Sequence, residues 1–246
     1  MKQRARQLGF FATAVLAWTA VASFQGVDEF GRSVLAVLYA SMGLSILRGA
    51  LVGIPLIAAV FLLVTASEVY SWRWVSVAAD FVFDAIESVP SYLWVLAAIA
   101  AASHMPVLAS NVALAVGLSP LAYATLKGVM KEVIRQPFIA GAVLSGLPRH
   151  VILLRHVIPH VFAPTAALAF NILGAAVAVY GAIGAFGFAN RQTLDLGTLL
   201  LRGKELAGID ASLLWLTVAG YGLLFIALHG GARLISKEMT ESPAHG

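Results

Sequence analysis

The chain has 246 residues, of which 60% are hydrophobic and 11% charged. Soluble domains carry about 25% charged residues, so an ordinary soluble globule is excluded as a good fit, and the apolar content excludes a disordered chain. The absence of cysteine excludes a disulfide framework, thiolate metal ligands and a Cys nucleophile. A net charge of +4 has two readings, a nucleic-acid partner or basic cytoplasmic loops, and the order of charges along the chain separates them.

A helix crosses the hydrocarbon with about 20 mostly apolar residues. Six stretches qualify, which predicts an all-α integral membrane protein with one domain over residues 1–246. Residues 8–24 follow Lys2, Arg4 and Arg6 and contain Ala20-Val21-Ala22, a small-residue pattern like a signal-peptide cleavage site. Because five more spans follow, this stretch reads as an uncleaved first span. An amphipathic lead-in from Val34 precedes the second span, 41–66, which contains Arg48. The third, 75–102, is interrupted by Pro90 and by Asp80, Asp84 and Glu87, which at i, i+4 and i+7 share one helix face. Residues 111–126 form the fourth, 161–188 the fifth and 213–234 the sixth, with long polar connections at 127–160 and 189–212. Gly181, Gly184 and Gly187 lie in the apolar fifth span, where small residues let helices approach closely. They have no strand-to-helix context that would make them a phosphate cradle.

With the N-terminus in the cytoplasm, Lys2, Arg4, Arg6, Arg73, Lys127, Lys131, Arg135, Arg149, Arg155, Arg233 and Lys237 fall inside. Only Arg32, Arg191, Arg202 and Lys204 fall outside. The positive-inside bias places both termini in the cytoplasm. It also accounts for the basic balance with no nucleic-acid partner.

The connection 127–160 holds an apolar stretch, residues 138–147, that ends at Gly146 and Pro148. Pro137 suits the first turn of a helix, where its missing N–H costs nothing, and Gly146 with Pro148 supplies a stop. The spacing predicts a short cytoplasmic surface helix with an exposed apolar face, followed by a basic stretch leading into the fifth span. An exposed apolar helix needs a partner surface.

This loop resembles the cytoplasmic coupling loop of ABC importer permeases, in particular the dipeptide/oligopeptide/nickel permease family. Phe138-Ile139-Ala140-Gly141-Ala142, then Gly146, then Arg155-His156-Val157-Ile158-Pro159-His160 follow the family's Tyr-Val-Glu-Ala-Ala, Gly and Arg-His-Ile-Leu-Pro-Asn. Asp28-Glu29-Phe30-Gly31-Arg32 resembles its external Asp-Glu-Leu-Gly-Arg, and Asp84 six residues before Pro90 matches its third span. Trp215 and the Gly231-Ala232-Arg233 exit resemble its last span. The family's coupling-loop Glu is Ala140 here, and its first Ala is Gly141.

The resemblance implies the type I importer-permease fold, with six transmembrane helices and a cytoplasmic coupling helix, in a bacterial or archaeal cytoplasmic membrane. It implies a second homologous permease, two ATP-binding subunits and an extracytoplasmic solute-binding protein, set in membrane lipid. ATP and magnesium would sit on the partner subunits, since this chain has no Walker A sequence and no cofactor of its own. Phe138, Ile139, Ala140, Gly141, Ala142, Gly146, Arg155, His156 and Pro159 would meet the ATPase, and Asp28, Glu29, Gly31 and Arg32 would face the binding protein. The family's solutes include peptides, nickel and opine-type metallophores.

Two other function classes are compatible with the sequence. An ion-coupled secondary transporter would use Asp80, Asp84 and Glu87 as its coupling site, although no inverted repeat is visible. Intramembrane acids face an interior or a cavity, so these three read either as a path site or as ion-pair partners of basic loop residues. A membrane-embedded enzyme needs a nucleophile–base or metal constellation, and none stands out. His150, His156 and His160 read as interfacial bases, because Pro159 interrupts their helical spacing and neither Cys nor carboxylate completes a metal set. His104 is a lone loop histidine. Arg48 has two readings, snorkelling to the interface or binding an anion in the path. Trp72 and Trp74 flank Arg73 as an interfacial aromatic pair.

Overall fold

The computed structural model describes residues 33–101, 106–186, 188 and 195–240. The span expected at 8–24, the external residues Asp28, Glu29, Gly31 and Arg32, and His104 lie outside these residues.

Helix α1, Val34–Val64, takes in the amphipathic lead-in and continues through a π-helical turn, Thr65–Val69. Next come α2, Arg73–Glu87, and α3, Ser91–Ala101. Helix α4 is Pro106–Ile134, and α5, Pro137–Leu144, is the short helix of the long connection. Helix α6, Arg149–Ile152, runs through a second π-helical turn, Leu153–Val157, into α7, Ile158–Ala185. The last two are α8, Leu196–Leu206, and α9, Ser212–Thr240.

Among the described residues, four helical segments are long and apolar enough to cross a membrane: Val34–Val69, Val107–Ile134, Arg149–Gly184 and Ser212–Ile235. The third expected span is not one helix. It is the pair α2 and α3, bent by 80° at Ser88–Pro90. Proline has no N–H to donate and disfavours helical geometry in the residue before it, so α3 restarts after Pro90, whose carbonyl accepts from Leu93 N–H at 2.9 Å. Pro55, Pro120 and Pro164 sit inside continuous helices; at Pro120 the freed Val116 carbonyl accepts from the Ser119 hydroxyl at 2.6 Å, one way such helices tolerate proline. The polar connection 127–160 is also shorter than its charges suggested. Helix α4 runs on through Lys127 and Lys131, and the basic stretch from Arg149 is already helical.

The described residues belong to two compact units, Met1–Arg48 with Val177–Ala227 and Gly49–Ala176 with Leu228–Gly246. In the first, Leu38, Ile183, Leu196, Leu199 and Leu224 are buried. Helix α8 is capped at both the side chain and the backbone. Asp195 accepts from Thr198 N–H at 2.9 Å, and the Thr198 hydroxyl accepts from Asp195 N–H at 3.0 Å, a reciprocal box that satisfies two helix-end donors. Exposed Asp210, just before α9, accepts from the backbone N–H and hydroxyl of Ser212, which hold its carboxyl below the ordinary carboxylate range.

In the second unit, Val64, Val95, Leu114, Leu126, Met130, Val157 and Ile172 are buried. Leu51, Ile54 and Leu62 form an exposed apolar stripe on α1 suited to lipid. Close helix contacts are made at small residues: the His229 ring lies over Gly174, and Ser91 lies over Gly117.

Candidate functional site

Helix α5 lies where the loop sequence predicted a short helix. Pro137 occupies its first turn. At its other end Gly146 has φ +74°, a conformation that costs a residue without Cβ little. Gly146 N–H donates to Val143 O at 3.0 Å and Leu147 N–H to Ala142 O at 3.3 Å, the paired bonds of a Schellman stop. The helix therefore ends where the glycine reverses it, and Pro148 starts the next one. Ile139 and Ala142 face inward and are buried. The Phe138 ring stacks on His160 of α7 at 4.7 Å. The outer face is apolar and open, with Val143 58%, Leu144 88% and Leu147 38% exposed. Ala140 and Gly141 are exposed, as are Arg155 and Pro159. His156 lies in the second π-helical turn with a buried Nδ1 that has no partner among the described residues.

A polar network lies in the same unit. Lys127 donates to Asp80 at 2.5 Å, to the Tyr123 hydroxyl at 3.0 Å and to the Ser76 hydroxyl at 3.0 Å. Tyr123 also donates to Asp80 at 2.9 Å and stacks on Phe83. Glu68 lies between Lys127 at 4.0 Å and Lys131 at 3.9 Å. Arg149 donates to the backbone carbonyl of Tyr70. Of the three acids on one face of α2, only Asp80 enters this network. Asp84 and Glu87 are exposed, toward the bend.

In the first unit, Arg48 donates to Asp195 at 2.7 Å, and its guanidinium lies 3.9 Å above the Tyr180 ring. The two charged side chains are 15% and 6% exposed. Ser45 on the same helix accepts from Leu196 N–H at 2.9 Å. Arg48 therefore neither snorkels nor stands open to an anion. It is paired and packed, tying α1 to the capped start of α8.

Two crystal forms of the inward-facing MetNI methionine ABC transporter hold a similar chain. The selenomethionine-soaked CY5 form matches with a TM-score of 0.58 at 18% identity, covering 82% of this chain and 93% of that one. The native CY5 form matches with a TM-score of 0.54 at 19% identity, covering 82% and 94%. This chain shares their fold. No protein-family model and no curated protein matches it in sequence.

The sequence reading missed Asp195, Glu68 and Tyr180 as partners. Asp195 was legible as the start of an Asp-x-x-Thr cap, but its bond to Arg48 joins residues 147 apart. No group of three or more His, Cys, Asp or Glu among the described residues could hold a metal ion.

Proposed function

We propose that this chain is the membrane subunit of an ATP-driven importer, with α5 as the coupling helix that seats in a groove of a separate ATP-binding subunit. The observation that carries this is α5 itself, a short helix anchored by Ile139 and Ala142 that presents an exposed Val143, Leu144 and Leu147 face. Such a face calls for a partner. The fold likeness to a methionine ABC transporter supports the reading, as does the coupling-loop resemblance. ATP and magnesium belong to two partner ATPases. A second permease chain completes the path, and an external solute-binding protein docks on the side of Asp28–Arg32 and 189–212. Both termini lie in the cytoplasm of a prokaryotic cell whose inner membrane holds the complex. Closure of the ATPases pulls on α5, the spans rock, and access alternates. The cargo class is a small amino-acid-like or peptide-like solute, with nickel or a metallophore as the family's other options.

The test is purification of the chain from its native membrane with its associated subunits. A stable complex with a second permease and an ATPase, whose hydrolysis rises with the binding protein, is the expected outcome. Solute transport by the chain alone along an ion gradient would refute it.

Exposed Asp84 and Glu87 beside the 80° bend favour a second assignment within the same transporter, a polar stretch of the path. Acids at membrane depth face water or a partner, and broken helices line the binding sites of many transporters. Asp84→Asn with Glu87→Gln is expected to leave the chain folded and to lower uptake, as loss of path-lining groups would. Uptake at the wild-type rate in the double variant removes these residues from the path.

A further inference from the structure

Helix α5 has no side-chain cap at its start and no carboxylate of its own, Ala140 standing where the resembling family has Glu. It is nevertheless held from both flanks. Before it, Lys131 of α4 meets Glu68 at 3.9 Å, and Glu68 is also 4.0 Å from Lys127. After it, Arg149 donates to the carbonyl of Tyr70. Both tethers end on the same short segment, the π-helical turn Thr65–Val69 and the residues that follow it into α2.

That segment is itself unusual. Tyr70 N–H donates to Thr65 O at 3.2 Å and Trp72 N–H to Ala66 O at 3.2 Å, so the helix widens as it ends. Ser71 then has φ +60°. A non-glycine residue keeps a left-handed conformation only where its surroundings hold it there. Arg149 bonds the adjacent carbonyl, and Glu68, 15% exposed, is held between two lysines. Lys127 carries the connection onward to Asp80 in α2.

We infer that Glu68, Lys131 and Arg149 are positioning residues that clamp both flanks of α5 to the α1–α2 junction, so that displacement of α5 is passed to α2. The clamp replaces, from outside the helix, the orienting carboxylate that the loop lacks. The inference rests on the proposed coupling role of α5, but the clamp contacts themselves are all made within this chain.

The chain has no cysteine, so spin labels can be placed at Leu144→Cys on α5 and Val77→Cys on α2, both exposed. In the chain reconstituted in nanodiscs, the label-to-label distance distribution is expected to be narrow. It should broaden in Glu68→Gln/Arg149→Ala and narrow again when Arg149→Lys restores a donor beside native Glu68. In the assembled transporter, the double variant should import about tenfold less solute per ATP hydrolysed, within the range of coupling between distant sites. An unchanged distance distribution overturns the clamp, as does a wild-type import-to-hydrolysis ratio. If no ATPase assembles with the wild-type chain, the importer reading fails, and the label distances still decide the clamp.

Discussion

Replacing Arg48 by Met will destabilise the chain by about 3–5 kcal/mol, the usual cost of leaving one member of a buried ion pair without its partner. Asp195 is 6% exposed and cannot turn to water when Arg48 is removed. Its carboxylate also caps α8 through Thr198, so the damage reaches the start of that helix. Met fills much of the space over the Tyr180 ring, which separates loss of charge from loss of packing. Arg48→Met/Asp195→Asn should recover most of the loss, because Asn is neutral and still accepts the Thr198 N–H. Thermal unfolding of the purified chain, followed by tryptophan fluorescence, reads both variants. A single variant that unfolds with the wild type would show that the pair does not hold α1 to α8.

Gly184→Ala will be damaging for a different reason. A Cβ at Gly184 would lie 2.2 Å from the carbonyl oxygen of Gly197. Neither side can yield by a rotamer change, because the obstacle is backbone. Inserting an atom into a filled interface costs about 1–3 kcal/mol, and more where the backbone must move. The reciprocal change, Gly197→Ala, meets the Tyr180 carbonyl oxygen at 2.6 Å and should behave alike. Gly43→Ala and Gly222→Ala are the controls. Among the described residues, nothing lies within 4 Å of either added carbon, so each should be neutral or stabilising by up to about 1 kcal/mol through helix propensity. Equal unfolding temperatures for Gly184→Ala and Gly222→Ala would contradict the close approach of α7 and α8.

The apolar runs made α1, α4, α7 and α9 legible, since length and hydropathy decide whether a helix can cross hydrocarbon. Pro137 and Gly146 marked α5 to within a turn, because one presets a first turn and the other a left-handed stop. The ends of the long helices were less legible. Lys127 and Lys131 looked like loop residues by charge, yet they stay helical because Asp80 and Glu68 compensate them from other elements. Such compensation joins residues far apart in sequence and leaves no local pattern. The bend at Ser88–Pro90 was signalled by Pro90, but the same residue type at 55, 120 and 164 gives continuous helix. Proline alone therefore does not decide a break. The sequence left the setting of Arg48 open because its partner lies beyond a span and a loop, and the arrangement found is a buried pair with Asp195.

The importer reading turns on what covers α5. A photoactivatable maleimide probe on Leu144→Cys, 88% exposed at the tip of that helix, reports the answer in the assembled complex without background from native cysteines. Leu62→Cys on the lipid-suited stripe of α1 serves as the reference. Illumination is expected to cross-link the Leu144 probe to an ATP-binding subunit and the Leu62 probe to no such subunit. An actively transporting preparation in which the Leu144 probe never reaches an ATP-binding subunit would contradict the assignment of α5 as the coupling helix.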